Sequence, residues 1–395
     1  MKIIRLILAL TATVGLGNSS FKLAAQTNYP PPTPGPDIAP QKMVHPGGYC
    51  TEDILERVRT QVAAGQEPWK SAWAALQKMD PSADYQPHVS ENLPNAYETQ
   101  NQGHAAWVLT IKWVASGDPA YAQAAIRIID AWASTVKSAV GGGTMRNGIG
   151  GNQMANAAEI LAYGFHGSAG WPANKVKQAQ TWFKNVLYPC VTRGPMRSAN
   201  WGTSCLAGAM AMAVFCDDRS MFNDSVYAYE NGFTNNPDGG CGIAQYIDDS
   251  GENAESGRDQ PHSQGGISHL MEVAVMAYNQ GVPEVMAYKD HRIVTGFEYT
   301  AKYNLGNDVP YHPFVNYDGK TIYPNGVSAK NRGHFSPTYE MARYYFAKAG
   351  FAAPFTTQVC ASPGYRPEGT NSDHIGLGTL LFSTESAAAA PLSTK

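Results

Sequence analysis

The side chains able to do chemistry crowd into one stretch, Cys241 to Gly281, which reads CGIAQYIDDSGENAESGRDQPHSQGGISHLMEVAVMAYNQG. A polar, glycine-punctuated loop brings Tyr246, Arg258, Asp259, His262 and Gln264 together with Asp248, Asp249, Glu252 and Glu255, then runs without a break into an apolar segment. Polar density mounted on the start of a buried helix is how a site is built. Ile267, Leu270, Ala274 and Ala277 share one helical stripe with Met271, Val275 and Tyr278 beside it, so a helix is predicted from Gly266, with His262 just before its N-terminus. The helix dipole there favours a neutral imidazole, suited to a base or to a partner for a substrate carboxylate.

Two chemistries fit these residue types. The four acidic residues offer the carboxylate pair of a glycoside hydrolase, although an acidic loop is equally the mark of a solvated face, and no GxSxG nucleophile elbow accompanies it. The other chemistry is proton abstraction beside a carboxylate, by which uronic acid polymers are cut by β-elimination. It needs a group that neutralises the uronate carboxylate, a base, and an acid for the leaving oxygen. Asn200 before one predicted helix, Arg258 and His262 before another, and a tyrosine-rich stretch over 299–323 supply those types from separate loops. Tyr317, in YHPFVNYDG, is the tyrosine expected to reach the sugar, because Tyr299 and Tyr303 fall on a helical aromatic stripe. Residue types leave open which of His262 and Tyr317 takes the proton. Arg258 suits a bidentate carboxylate clamp or a structural ion pair with its acidic neighbours. Gln153, Asn156, Gln264, Tyr311, Arg332 and His334 are candidate substrate contacts, with Trp201 as a stacking surface for a sugar ring. Asn156 and Glu159 equally suit satisfying buried backbone, and Trp201 filling a core.

The segments NQMANAAEIL, SANWGTSC, GRDQPHSQGGISHLMEVAVMAY and GFEYTAKYNLGN, with the opening HPGG…EPWKSAW, resemble the secreted alginate-lyase superfamily, most closely polysaccharide lyase family 38. The resemblance spans about His45 to Phe382 and is specific in its GRDQ-H-QGG core. It implies an (α/α) barrel, metal-free elimination on 1,4-linked uronans, and a groove or tunnel closed by loops. In the related family 5 enzymes an Asn–His pair, an Arg and a Tyr do the work. Asn200 matches that Asn, Trp201 stands where the His would be, and His262 falls about where the Tyr lies.

The elements that must position these residues read as helical hairpins. Helices are expected from Thr51 to Gly65, from Pro68, over Gln102–Ser116 and Tyr121–Val136, and then in the pairs Asn152–Tyr163 with Pro172–Leu187, Thr203–Phe215 with Ser220–Tyr229, and Gly266–Asn279 with Pro283–Tyr303. A last helix is expected over Pro337–Ala349, and Thr379–Phe382 is the best short strand candidate. Helix hairpins without a constant repeat fit an all-α (α/α) toroid better than a superhelical solenoid. Long polar loops over 80–95, 138–151, 231–265 and 304–336 suit a functional face.

With 43% hydrophobic and 15% charged residues the chain is globular, and a net charge of -3 gives no attraction for nucleic acid. Lys2 and Arg5 before a short apolar run, then Leu23-Ala24-Ala25, read as a signal peptide over 1–25, implying export to the periplasm or medium. A Pro-rich linker over 26–44, one lyase domain over 45–382 and a tail over 383–395 follow, with no second membrane segment. Export permits disulfides among Cys50, Cys190, Cys205, Cys216, Cys241 and Cys360, buried free thiols being the alternative. The absence of CxxC, HExxH and any tight Cys/His cluster argues against zinc, and no cofactor is expected. The expected function is eliminative cleavage of an acidic polysaccharide, alginate and its mannuronate first and glucuronan second. A hydrolase and a non-catalytic glycan-binding toroid are its rivals.

Overall fold

Helices that are buried almost all round, rather than on one stripe, set the architecture. In the computed structural model, which describes residues 36–384 except 96, 140, 142, 193–198, 233–240 and 316–320, the chain order is α1 (Glu52–Ala63), α2 (Trp69–Gln77), α3 (Glu98–Ser116), α4 (Pro119–Thr135) and α5 (Thr144–Gly167). Next come α6 (Ala173–Trp182), a π-turn over Phe183–Leu187, α7 (Tyr188–Val191), α8 (Ala199–Phe215), α9 (Arg219–Asn231) and α10 (Ile243–Tyr246). The chain continues through α11 (Gln260–Asn279), a 3-10 turn over Pro283–Ala287, α12 (Tyr288–Asn304), α13 (Tyr339–Lys348), α14 (Pro354–Cys360) and α15 (Gly378–Phe382). Among the described residues the only strands are β1 (Phe314–Val315) and β2 (Thr321–Ile322), an antiparallel pair.

An inner series runs α3 on α5, α5 on α8 and α8 on α11, while α1 touches both α3 and α15, and α15 packs on α13. Outside it α4 backs α3, α9 backs α8, α12 backs α11 and α14 backs α13. This is the expected all-α toroid of helix pairs. Close approach of the inner helices depends on missing side chains. A Cβ at Gly103 of α3 would lie 2.2 Å from the carbonyl oxygen of Gly150 in α5, and one at Gly208 of α8 would lie 2.5 Å from that of Gly148. The outer helices carry ordinary caps instead: Asp118 accepts from Ala120 N at 2.9 Å to start α4, and Asp218 from Met221 N at 3.1 Å to start α9.

Four inner helices begin earlier than their apolar periodicity predicts: α3 at Glu98, α5 at Thr144, α8 at Ala199 and α11 at Gln260. Their first turns are polar or glycine-rich and are held by tertiary bonds, which propensity does not register. Asn147, for instance, is buried, accepting from Thr99 Oγ1 at 2.6 Å and donating to the Ala139 carbonyl at 2.7 Å. The expected loop over 138–151 is therefore largely helix. Two further expectations are corrected. Thr379–Phe382 belongs to α15, not to a strand, because a four-residue apolar run does not discriminate. Thr51 precedes α1 but makes no side-chain cap, its hydroxyl going to Asp53 instead. No disulfide joins the six cysteines, all of which are among the described residues, and five of them are buried. No helix among the described residues is long and apolar enough to cross a membrane.

Glu272, deep in α11, accepts from Ser268 Oγ at 3.1 Å and Asn152 Nδ2 at 2.6 Å. Burial pushes its carboxyl up to about 8, against the lowering effect of those two bonds. Between its unfolded value near 4.5 and about 8 the native state therefore binds more protons than the unfolded one, and its contribution to stability is lost as pH rises. We predict that Glu272→Gln, compared with wild type by urea unfolding, gains on the order of 3 kcal/mol relative to wild type between pH 5 and pH 8. An unchanged difference would show that the carboxyl does not titrate in that window.

Candidate active site

Helix α11 begins with a carboxylate doing two jobs. Asp259 Oδ1 accepts from the backbone N–H of His262 at 3.0 Å, capping the helix, and lies 2.7 Å from Nδ1 of the same residue. Its own burial pushes the Asp259 carboxyl up, but the His262 backbone and ring and the Lys330 ammonium together hold it below the usual value. The ionised carboxylate draws the ring N–H to Nδ1, an arrangement that in the neutral imidazole leaves the lone pair on Nε2. His262 is therefore in the first turn of α11 rather than ahead of it, because Gln260 and Pro261 already belong to the helix.

Along α11 the positions i, i+3 and i+7 are His262, Gly265 and His269, which face one way. All three line a cavity of about 200 Å³, together with Arg146 of α5, Asn200 of α8 and His374 of the C-terminal loop. A Cβ at Gly265 would meet nothing nearer than His374 Cε1 at 3.8 Å, so this glycine leaves room between the two histidines. The adjacent Gly266 faces the other way and lets the Tyr246 phenol approach to where a Cβ would be 1.8 Å from its oxygen.

Beneath the cavity, Glu255 joins separate elements. It accepts from Asn200 N at 3.1 Å, Arg258 Nη1 at 2.8 Å and Tyr246 Oη at 3.4 Å, with only 1% of its surface exposed. Burial pushes its carboxyl up, opposed first by the Arg258 charge beside it. Asn200 itself lies in the first turn of α8, and its Oδ1 is buried without a hydrogen-bond partner. A buried amide oxygen of this kind, facing a cavity beside a basic imidazole, is arranged for a ligand.

The family model described as Alginate lyase matches residues 69–309. The chain belongs to the alginate lyase family. It is a polysaccharide lyase, and its fold agrees with solved relatives. It is similar to alginate lyase A1-III from Sphingomonas species A1, with 16% identity, TM-score 0.60, and 87% of this chain and 98% of that one covered. A variant of A1-III complexed with a tetrasaccharide gives 14% identity, TM-score 0.60 and the same coverage. An alginate lyase from Bacteroides ovatus gives 14% identity and TM-score 0.56, covering 87% of this chain and all of that one, 100%. No curated protein matches by sequence.

In this lyase the structure brings His262 and Asn200 to one cavity and ties Arg258 to it through Glu255. Arg258 is thus an ion-paired residue as well as a neighbour of the site. Tyr317 lies outside the described residues. Trp201 is exposed at 39%, beside Asn200 on α8, and not in the core. Other candidates are engaged inside the protein. Gln153 is buried, with Oε1 3.0 Å from His104 Nδ1 and Nε2 donating to the Ser372 carbonyl at 3.1 Å. Gln264 is buried too, donating to the His334 carbonyl at 3.0 Å and accepting from Ser336 N at 2.9 Å and Tyr339 Oη at 3.0 Å. Both brace loops rather than reach a sugar. Tyr311 donates to the Tyr323 carbonyl, and Arg332 to those of Tyr303 and Asn307, each at 2.8 Å for the arginine. His334 is exposed on a separate groove with Phe335 and Tyr365. Asn156 satisfies backbone, accepting from Tyr49 N at 2.7 Å.

Sequence reasoning missed Arg146, His269, His374 and the joining role of Glu255. The i, i+3, i+7 spacing of His262, Gly265 and His269 carried a signal for His269, whereas His374 is brought in from a remote segment that no local pattern marks. We predict that Asp259→Asn, which keeps the helix capped but removes the charge that sets the imidazole tautomer, lowers kcat by roughly 10²-fold with little change in KM. Steady-state kinetics on a cleaved polysaccharide checks this, and an unchanged kcat would show that His262 needs no such orientation.

Proposed function

We propose that this lyase cuts 1,4-linked uronans by β-elimination, with alginate and its mannuronate stretches as first substrate and glucuronan as second. The observation that carries the reading is the Asp259–His262 pair with its Nε2 lone pair, on the cavity that Asn200 also lines. In the proposed step Nε2 of His262 takes the proton from C5 of the uronate. The C5–H electrons form the C4–C5 double bond, the C4–O bond breaks, and the leaving oxygen receives a proton from Tyr317, a role assigned on sequence grounds. The Asn200 amide donates to the carboxylate as enolate charge develops there. A hydrolase is less well supported, since Asp373 is the one carboxylate among the described residues lining the cavity. Paired carboxylates either side of a glycosidic bond are what that chemistry needs. The composition of residues 1–25 supports export as the setting of this activity.

Incubation with polymannuronate should raise the ultraviolet absorbance of a conjugated unsaturated uronate. Polyguluronate, glucuronan and pectate assayed alongside rank the substrates. New reducing ends without that absorbance would make the enzyme a hydrolase. His262→Ala and Tyr317→Phe should each lower kcat by about 10²-fold or more, far beyond any change in affinity.

A further inference from the structure

The floor of the cavity holds two imidazoles to which the step above gives no work. His269 is 5% exposed and His374 7%, their rings lie 6.3 Å apart, and neither His269 Nε2 nor His374 Nδ1 has a hydrogen-bond partner. The Thr203 hydroxyl donates to the Asn200 carbonyl at 3.3 Å and lies 3.4 Å from His269 Nδ1. The Asp373 backbone also lies against this ring, at the deep end of the site.

Fixed charge around the cavity is already spent. Arg146 lies 3.9 Å from Asp373, Arg258 is 2.8 Å from Glu255, and Lys330 is 3.5 Å from Asp259. An acidic sugar entering this space brings a further negative charge to cations that each already stand beside a carboxylate, and such charge is costly away from water. The groups able to become positive are the imidazoles, and His262 is the one engaged with a carboxylate.

We propose that His269 and His374 form the seat of the sugar's carboxyl group, and that binding an acidic sugar draws one proton from solvent onto this pair. One proton moves to an imidazole nitrogen and no bond of the sugar changes in that step. The inference rests on the uronan reading above and deepens it, since the proton so gained masks the carboxylate before C5 is deprotonated. The groups facing the pair are Arg146 from α5, Asn200 and Thr203 from α8, His262 from α11 and Asp373 from the loop. Burial, and for His269 its neighbour His374, push both rings down to about 4, while Asp373 opposes this. Both are neutral near pH 7 until a carboxylate arrives beside them.

The test is calorimetry of a mannuronate tetrasaccharide binding to His262→Ala, in buffers of different ionisation enthalpy. That variant turns over slowly on the present reading and cannot place the proton on residue 262. Uptake of about one proton per site is expected, with Kd rising about tenfold per pH unit between pH 6 and pH 7. A carboxyl-reduced tetrasaccharide should take up none, and adding His269→Gln or His374→Gln should cut the uptake severalfold. Binding without proton uptake, equal uptake with the neutral sugar, or uptake unchanged by both substitutions overturns the proposal. The first and second of these do not depend on whether the glutamine variants fold. Wild-type cleavage of polymannuronate to unsaturated product, alongside such a result, would leave the lyase reading standing. Absence of that product removes both.

Discussion

The Asp259 carboxylate is the constraint on which the site depends, because one group fixes both where α11 starts and which way its first histidine faces. A capping aspartate is ordinarily worth about 1 kcal/mol to a helix. Here the same oxygen that accepts the His262 backbone N–H is also bonded to the His262 ring, so backbone and side chain of one residue are locked by one partner. The cost of burying that carboxylate is offset by these two bonds and by the Lys330 ammonium 3.5 Å away. A variant lacking the charge keeps a cap but loses the choice of tautomer, so the stability and the chemistry of this turn are separable.

What surrounds Asp259 repeats the device with another acid. Glu255 spans the first turn of α8, the Arg258 guanidinium and the Tyr246 phenol, and thereby couples the loop before α11 to the helix that carries Asn200. Neither carboxylate is positioned by its own helix propensity. Both are placed by a toroid whose inner helices approach through glycines at 103, 148, 150 and 208. The first turns of α5, α8 and α11 all reach the same cavity as a result, which is why polar starts of apolar helices become one site.

This explains what could be read in the chain beforehand. The toroid was legible because buried helices of Ala, Met and aromatics leave long apolar periods, and turns such as Gly117-Asp118-Pro119 punctuate them. His262 and Asn200 were legible because polar types stood at the edges of those periods. The starts of the inner helices were not, since Asn147 and Gln260 are held in helix by partners distant in sequence. Gln153 and Gln264 were misread for the related reason that an amide's type does not report whether it faces a sugar or a buried carbonyl. Glu255 was misread in the opposite sense. It looked like part of a solvated acidic face and is among the most buried charges in the loop.

A chain with net charge -3 acting on a polyanion presents an electrostatic problem that the local pairing makes sharper. Long-range attraction is not available, and three cations near the cavity are each matched by a carboxylate. Recognition must then come from short-range donors and from groups whose charge responds to the ligand. Asn200 supplies the first kind, and the neutral imidazoles beneath it the second. A permanently charged floor would be a buried, unpaired charge in the empty site, whereas a floor that becomes positive as the acid group arrives avoids that cost and leaves its charge where the enolate forms. Interactions that strengthen as the reaction proceeds are the ones that accelerate it. The pairing of each nearby cation thus leaves the neutral imidazoles as the groups whose charge can respond to the acid group.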